Sequence, residues 1–238
     1  MLEGYEQRVL HDAERYVRST RKKSSLIKRS SKKIQTKINT TIPEKVHTIV
    51  TESIKKMIEL ALYSSEYIRP VNVDTYWSLE RKEKLIKERL NQYKQTAMIE
   101  GAGTGAGGIM LGLADFPLLL SIKMKLLFDV GQIYGYNVKE YEERMYLLHV
   151  FLFAFSSDDN QKEVLQTLLD WESNRVDGKD IDWKTLQLEY RDSIDFVKMM
   201  QLIPGLGVVV GAIANRKLLD QLAEAAMNMY RIRILDSK

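Results

Sequence analysis

The sequence predicts an all-α fold, a multi-helix bundle of about seven to nine helices that includes a glycine-rich helix pair. Three observations predict it. Helix breakers are scarce: the 238 residues hold only 4 prolines, at Pro43, Pro70, Pro117 and Pro204, and the 13 glycines are clustered. Leu, Lys, Glu, Gln and Met, which lose little side-chain freedom in a helix, are plentiful. No stretch alternates apolar and polar residues between hairpin turns. Apolar residues make up 45% of the chain and charged residues 29%, a balance that supports a sizeable core and argues against a disordered chain.

The elements follow in order. Tyr5, Val9, Ala13, Tyr16 and Thr20 recur at spacings of three and four and form one helical face. Ile27, Ser31, Ile34, Ile38 and Ile42 trace a second, thinner stripe among lysines and arginines. These two segments form a basic helical arm over 1–42, set apart from a helical domain over 43–238. Thr41, Pro43 and Glu44 start the next helix, which buries Val46, Val50, Met57 and Ala61 and stops by Arg69-Pro70. Asp74 is the expected N-cap of a long charged helix reaching about Glu100, with Leu79, Ile86, Leu90, Tyr93 and Ala97 inside. Asp115 is the expected cap of the following helix, with Pro117 in its first turn and Gly135 as its stop. From Lys139 a helix begins polar and turns apolar on every side over 145–155, which demands a central position. Ser157-Asp158-Asp159 caps a helix carrying Val164, Leu165, Leu168, Leu169 and Trp171. After a turn at Asp177-Gly178, Asp182 caps a helix with Leu186, Tyr190, Ile194 and Val197 inside. Pro204-Gly205 opens the last helix, whose inner residues are Leu206, 208–210, Ile213, Leu218, Leu222 and Ala226.

Net charge is only +4, but it is unevenly placed. No acid stands between Glu14 and Glu44, while Arg15, Arg18, Arg21, Lys22, Lys23, Lys28, Arg29, Lys32, Lys33 and Lys37 do. A solvated face accounts for such a run without any partner. An anionic membrane surface suits it as well, because the isoleucine stripe can enter the headgroups while the cations meet lipid phosphate. Nucleic acid ranks behind, since no aromatic residues are interleaved for base stacking. The candidate lipid- or partner-binding residues are Arg18, Arg21, Lys22, Lys23, Lys28, Arg29, Lys32 and Lys33. The start, MLEGYEQRVLHDAERY, carries acids where a signal peptide needs a cationic end and an apolar run. The expected location is therefore cytoplasmic, peripheral on the inner face of the cell membrane. The absence of cysteine excludes disulfides, thiolate metal sites and a thiol nucleophile.

Gly103-Thr-Gly105-Ala-Gly107-Gly108 matches G-x-G-x-x-G literally, but a dinucleotide site requires a strand in front of it and charged helix is expected there. Spacing by four offers another account. Gly101 with Gly105, Gly103 with Gly107, Gly108 with Gly112, and Gly207 with Gly211 each share a helix face, and bare faces let two helix backbones approach closely. As a membrane span the stretch fails: about nine apolar residues at about −0.5 kcal/mol are opposed by about +3 kcal/mol for Asp115 and by the glycines. Burial in a core or a shallow hairpin in one leaflet fits better. Asp115 reads as a helix cap; in apolar surroundings its pKa would rise, which leaves a hydrolase-like acid or base as the alternative. The histidines, His11, His47 and His149, lack paired ligand spacing, and His149 is expected as a hydrogen-bonded core residue. No cofactor motif or catalytic set is present.

The stretch GAGTGAGGIMLGLADFPLLLSIKMKLLFDVGQIYGYN resembles the hallmark of the EcsC family: a glycine-rich apolar run over 101–112, Asp115 before an apolar helix, and the Tyr134-Gly135 pair. The later IPGLGVVVGAIANRKLLDQLAEAAMNMYRIR is similar to that family's closing motif, with Pro204, Gly207, Gly211 and Asn215 at matching places. The resemblance covers nearly the whole chain and transfers no catalytic residues. It implies an accessory protein beside an ABC-type exporter, with exporter subunits as partners and a link to protein secretion; the thin catalytic inventory makes a non-enzymatic role the leading expectation. Gly101, Gly103, Gly105, Gly107, Gly108, Gly112, Asp115, Gly207, Gly211 and Asn215 are the candidate positions for helix packing. They would also serve an apolar ligand such as a lipid, if the chain were instead a binding module.

Overall fold

The computed structural model describes residues 4–23, 44–63, 68–104, 116–156, 158–173 and 208–235. Seven helices and no strand occur among them: α1 (Gly4–Lys23), α2 (Glu44–Tyr63), α3 (Leu79–Thr104), α4 (Phe116–Tyr134), α5 (Tyr141–Phe155), α6 (Asp158–Leu169) and α7 (Val208–Leu235). The helices expected over 27–42 and 182–197 lie outside the described residues.

Two helices are central, and their sequences say why. Every α5 side chain from Glu143 to Phe155 is buried except His149, which is partly covered; a helix apolar on all sides is stable in water only when neighbours enclose it. α7 is similar from Leu218 to Tyr230, where only Asp220, Gln221 and Glu224 reach solvent. Around α5 stand α2, α4, α6 and α7, and around α7 stand α1, α3, α4, α5 and α6. The outer helices bury one stripe each. In α1 it is Val9, Ala13, Val17 and Thr20, and in α2 it is Ile54, Met57, Ile58, Ala61 and Leu62.

Helix ends follow local chemistry. Asp74, expected to cap α3, closes a turn of its own: Oδ1 accepts the Tyr76 amide at 3.0 Å and its carbonyl accepts the Trp77 amide at 3.1 Å. The cap of α3 is Ser78, whose Oγ accepts the Arg81 amide at 3.3 Å. α3 also continues past Glu100 to Thr104, so Gly101 and Gly103 are helical. α4 carries Pro117 in its first turn, where the missing amide costs nothing. It ends at Gly135, the expected stop, with φ +103°. There the Tyr136 amide reaches the Gly131 carbonyl at 3.0 Å and the Gly135 amide reaches Gln132 at 2.9 Å, a Schellman closure. Gly131 is needed for packing: a Cβ there would lie 2.8 Å from Val138 and 2.9 Å from the Tyr230 hydroxyl. The helix expected to include Trp171 stops at Leu169 instead, and Trp171 stands in the following turn against Tyr146 and His149.

Candidate functional site

α1 places four of the nominated basic residues. Arg18, Arg21 and Lys22 are exposed near its C-terminal end, and Lys23 is its last residue. Lys28, Arg29, Lys32 and Lys33 lie outside the described residues. Cations in the last turn face the negative end of the helix dipole, which favours them there. Arg18 touches Glu14 at 3.3 Å, and Arg21 donates to Gln166 of α6 at 3.2 Å. Both contacts are solvent-exposed; the charged pair contributes under about 1 kcal/mol and leaves its cation facing water.

Of the helix-packing candidates, Gly101 and Gly103 sit in the last turn of α3, and Gly211 and Asn215 in the first turns of α7. Gly105, Gly107, Gly108, Gly112, Asp115 and Gly207 lie outside the described residues. α3 and α7 run antiparallel, because Glu83 pairs with Arg231 while Lys94 pairs with Asp220. From Glu83 to Lys94 and from Arg231 back to Asp220 the two helices advance equally. The same register carried on sets Gly101 level with Ile213 and Gly103 level with Gly211. Helix leads into Gly103, so the strand that a dinucleotide loop requires does not precede it.

The opposite end of this helix pair holds a buried ionic cluster that the sequence reading did not nominate. Glu83 is fully buried on the inner stripe of α3. Arg231 grips it with both arms, Nε at 2.7 Å and Nη2 at 2.5 Å, and the hydroxyls of Tyr5 and Tyr134 donate to it at 2.7 and 3.2 Å. One turn away, Glu143 of α5 accepts the Tyr230 hydroxyl and Arg233 Nη1, the latter at 2.7 Å. Arg233 also donates to Glu172 at 2.5 Å and lies over the rings of Tyr136 and Tyr146, 4.1 and 4.3 Å from their centroids. Tyr230 stacks on Tyr134 at 5.1 Å between the two ion pairs.

Burial sets the direction of each pKa in this cluster, and the partners modify it. The Glu143 carboxyl is pushed up by burial, against the pull of Arg233 and Tyr230. Burial opposes the Arg231 and Arg233 cations, but the carboxylates beside them outweigh it and hold both above the usual guanidinium range. Tyr134 and Tyr230 are held far above the ordinary phenol, first by burial and then by the adjacent glutamates. The groups are matched to one another, each carboxylate with an arginine and at least one phenol. Their chemistry is that of a lock between α3, α5 and α7. The faint mark of it in the sequence is a gap: the stripe of Leu79, Ile86, Leu90, Tyr93 and Ala97 misses a member at Glu83.

Lys123 is a different case. It is 1% exposed in the middle of α4, and its ammonium reaches only the Leu119 carbonyl, at 3.4 Å. Burial without a carboxylate lowers its pKa to about 7. His149, as expected, hydrogen-bonds within the core, Nδ1 to the Met145 carbonyl at 2.8 Å, and burial lowers its pKa. His11 is exposed, and no His, Asp or Glu group suited to a metal ion occurs among the described residues. No helix among them is long and apolar enough to cross a membrane.

Comparison with known proteins gives a consistent picture. The model of the EcsC protein family matches residues 7–235. Protein EcsC of Bacillus subtilis (strain 168) is 51% identical over 214 residues, covering 90% of this chain and 89% of the relative. Uncharacterized protein YdbA of the same organism is 31% identical over 183 residues, 75% of this chain and 65% of that protein. No solved structure matches.

Proposed function

The chain belongs to the EcsC protein family, and from that premise we propose that it is a non-enzymatic accessory protein acting at the cytoplasmic face of the membrane. It attaches peripherally to anionic lipid and serves an ABC-type exporter by contact with the exporter's subunits. The observation that carries this reading is the exposed cationic end of α1. Arg18, Arg21 and Lys22 stand in solvent there, and the chain continues from them into the rest of the acid-free run. Each cation near an anionic surface contributes about 1 kcal/mol, so a run of eight is ample for reversible attachment. The lack of a helix able to span, among the described residues, agrees with attachment rather than insertion. The buried carboxylates Glu83 and Glu143 are matched by Arg231 and Arg233 within the bundle, which favours a scaffold over an enzyme.

Flotation with vesicles tests the proposal. The protein is expected to float with phosphatidylglycerol-containing vesicles at low salt, to stay behind with neutral phosphatidylcholine, and to be released as salt shortens the screening length. Equal partition into both vesicle types would remove the electrostatic attachment, and partition into neither would remove the membrane from the account. Copurification with exporter subunits after mild detergent extraction tests the second half; their absence from the purified complex leaves only the lipid partner.

A further inference from the structure

α1, α3 and α7 enclose a surface groove of about 540 Å³ whose rim includes Ser19, Leu90 and Asp220. One helical turn beyond each of these, toward the end of the bundle where α3 stops and α7 starts, stand Lys22, Lys94, Arg216 and Lys217. Lys94 pairs with Asp220, the acid of the groove nearest that end; Asp12 and Glu224 line it farther back. Lys22, Arg216 and Lys217 are exposed, and no ion pair engages them among the described residues. Residues nearly 200 positions apart in sequence thus stand at the same end of the packed α1–α7 pair. Arg216 is also the first charged residue after the uncharged run QLIPGLGVVVGAIAN.

We infer that Arg216 and Lys217 complete the lipid-binding surface: the protein meets anionic phospholipid with a composite basic corner built from α1 and α7, not with the N-terminal run alone. The inference deepens the peripheral reading above and rests on it. A bilayer suits the corner better than nucleic acid does, because an exposed apolar side chain stands at the same end of the bundle. Leu118 is 42% exposed in the first turn of α4, at the same end, since α4 runs antiparallel to α3 through the Tyr134–Glu83 and Tyr93–Asp129 bonds. Cations bordering apolar side chains match the headgroup region, where phosphate lies beside acyl chain.

The test uses the full chain and vesicles of phosphatidylcholine with about a quarter phosphatidylglycerol. R216Q/K217Q is expected to weaken vesicle binding about tenfold, since each cation at such a surface is worth several-fold. K84Q/K139Q removes two exposed cations from the opposite end and is expected to leave affinity unchanged. If both pairs weaken binding alike, overall charge and not a corner is responsible, and the inference falls. If R216Q/K217Q binds like the wild type while R18Q/R21Q/K22Q does not, α1 acts alone; the inference falls and the peripheral reading stands. A wild-type protein that ignores these vesicles takes both down, and retention on an acidic polypeptide instead would assign the corner to a protein.

Discussion

Lys123 places an amine among leucines, with Leu119, Leu120, Leu126 and Leu127 all buried around it. Its pKa falls from 10.5 to about 7 in the folded protein. Between those two values the unfolded chain holds the proton and the folded chain does not, so stability rises with pH across that window. Below about pH 7 both states are charged and the full cost of burying the cation is present. Lys123→Met is therefore expected to stabilise the protein at pH 6 by about 2–4 kcal/mol and to flatten its pH dependence between pH 7 and 9, as read from urea unfolding. A variant less stable than the wild type at pH 6 would contradict this. The Glu83–Arg231 pair predicts the opposite for a single change. Arg231→Met strands a buried carboxylate and should cost about 3–5 kcal/mol, whereas Glu83→Met combined with it should cost less than either alone. Neither site was legible in the sequence. A buried charge looks like any polar residue until its partner, here 148 positions away, is placed beside it.

At the scale of helices the sequence was far more informative. The apolar stripes of α1, α2 and α3 and the all-apolar run of α5 point to those helices, and Pro117 and Gly135 mark the two ends of α4. The sequence alone does not separate Asp74 from Ser78 at the start of α3, because the two are equally good caps by residue type. Only the backbone shows that Asp74 is engaged in its own turn. The sequence points to an earlier end for α3 because glycine weakens a helix by about 1 kcal/mol, yet the helix runs on through Gly101 and Gly103 to Thr104. Register between helices was not legible at all, since it depends on the pairs Glu83–Arg231 and Lys94–Asp220. That register yields a test. Gly101 lies on the Lys94 face of α3 and Ile213 on the Asp220 face of α7, each seven residues along. In this cysteine-free chain, Gly101→Cys with Ile213→Cys is expected to form a disulfide on mild oxidation, seen as faster migration on a non-reducing gel. Gly101→Cys with Met229→Cys should not, and the reverse pattern would overturn the register.

Over the whole molecule, the two ends of the bundle carry different charged residues. The end bearing the last turns of α1 and α3 and the first turns of α4 and α7 carries Lys22, Arg216, Lys217 and the exposed Leu118. The other end carries the buried ionic lock and mixed surface charge, including Glu80, Lys84, Lys139 and Glu142. The sequence disclosed the basic run of α1 but not its neighbours on α7, because the two meet only once the chain has folded back. The lock and the surface are then complementary: buried ion pairs hold α3, α5 and α7 in one arrangement, and that arrangement presents the basic corner as a unit.

The orientation of the bundle on a bilayer is the direct test. An environment-sensitive fluorophore attached through Lys22→Cys or Leu118→Cys is expected to brighten and shift to the blue on phosphatidylglycerol-containing vesicles and to revert in high salt. The same label at Tyr76→Cys, on a fully exposed side chain at the other end, is expected to stay unchanged. Equal responses at all three positions, or a response at Tyr76→Cys alone, would contradict a membrane-facing basic end.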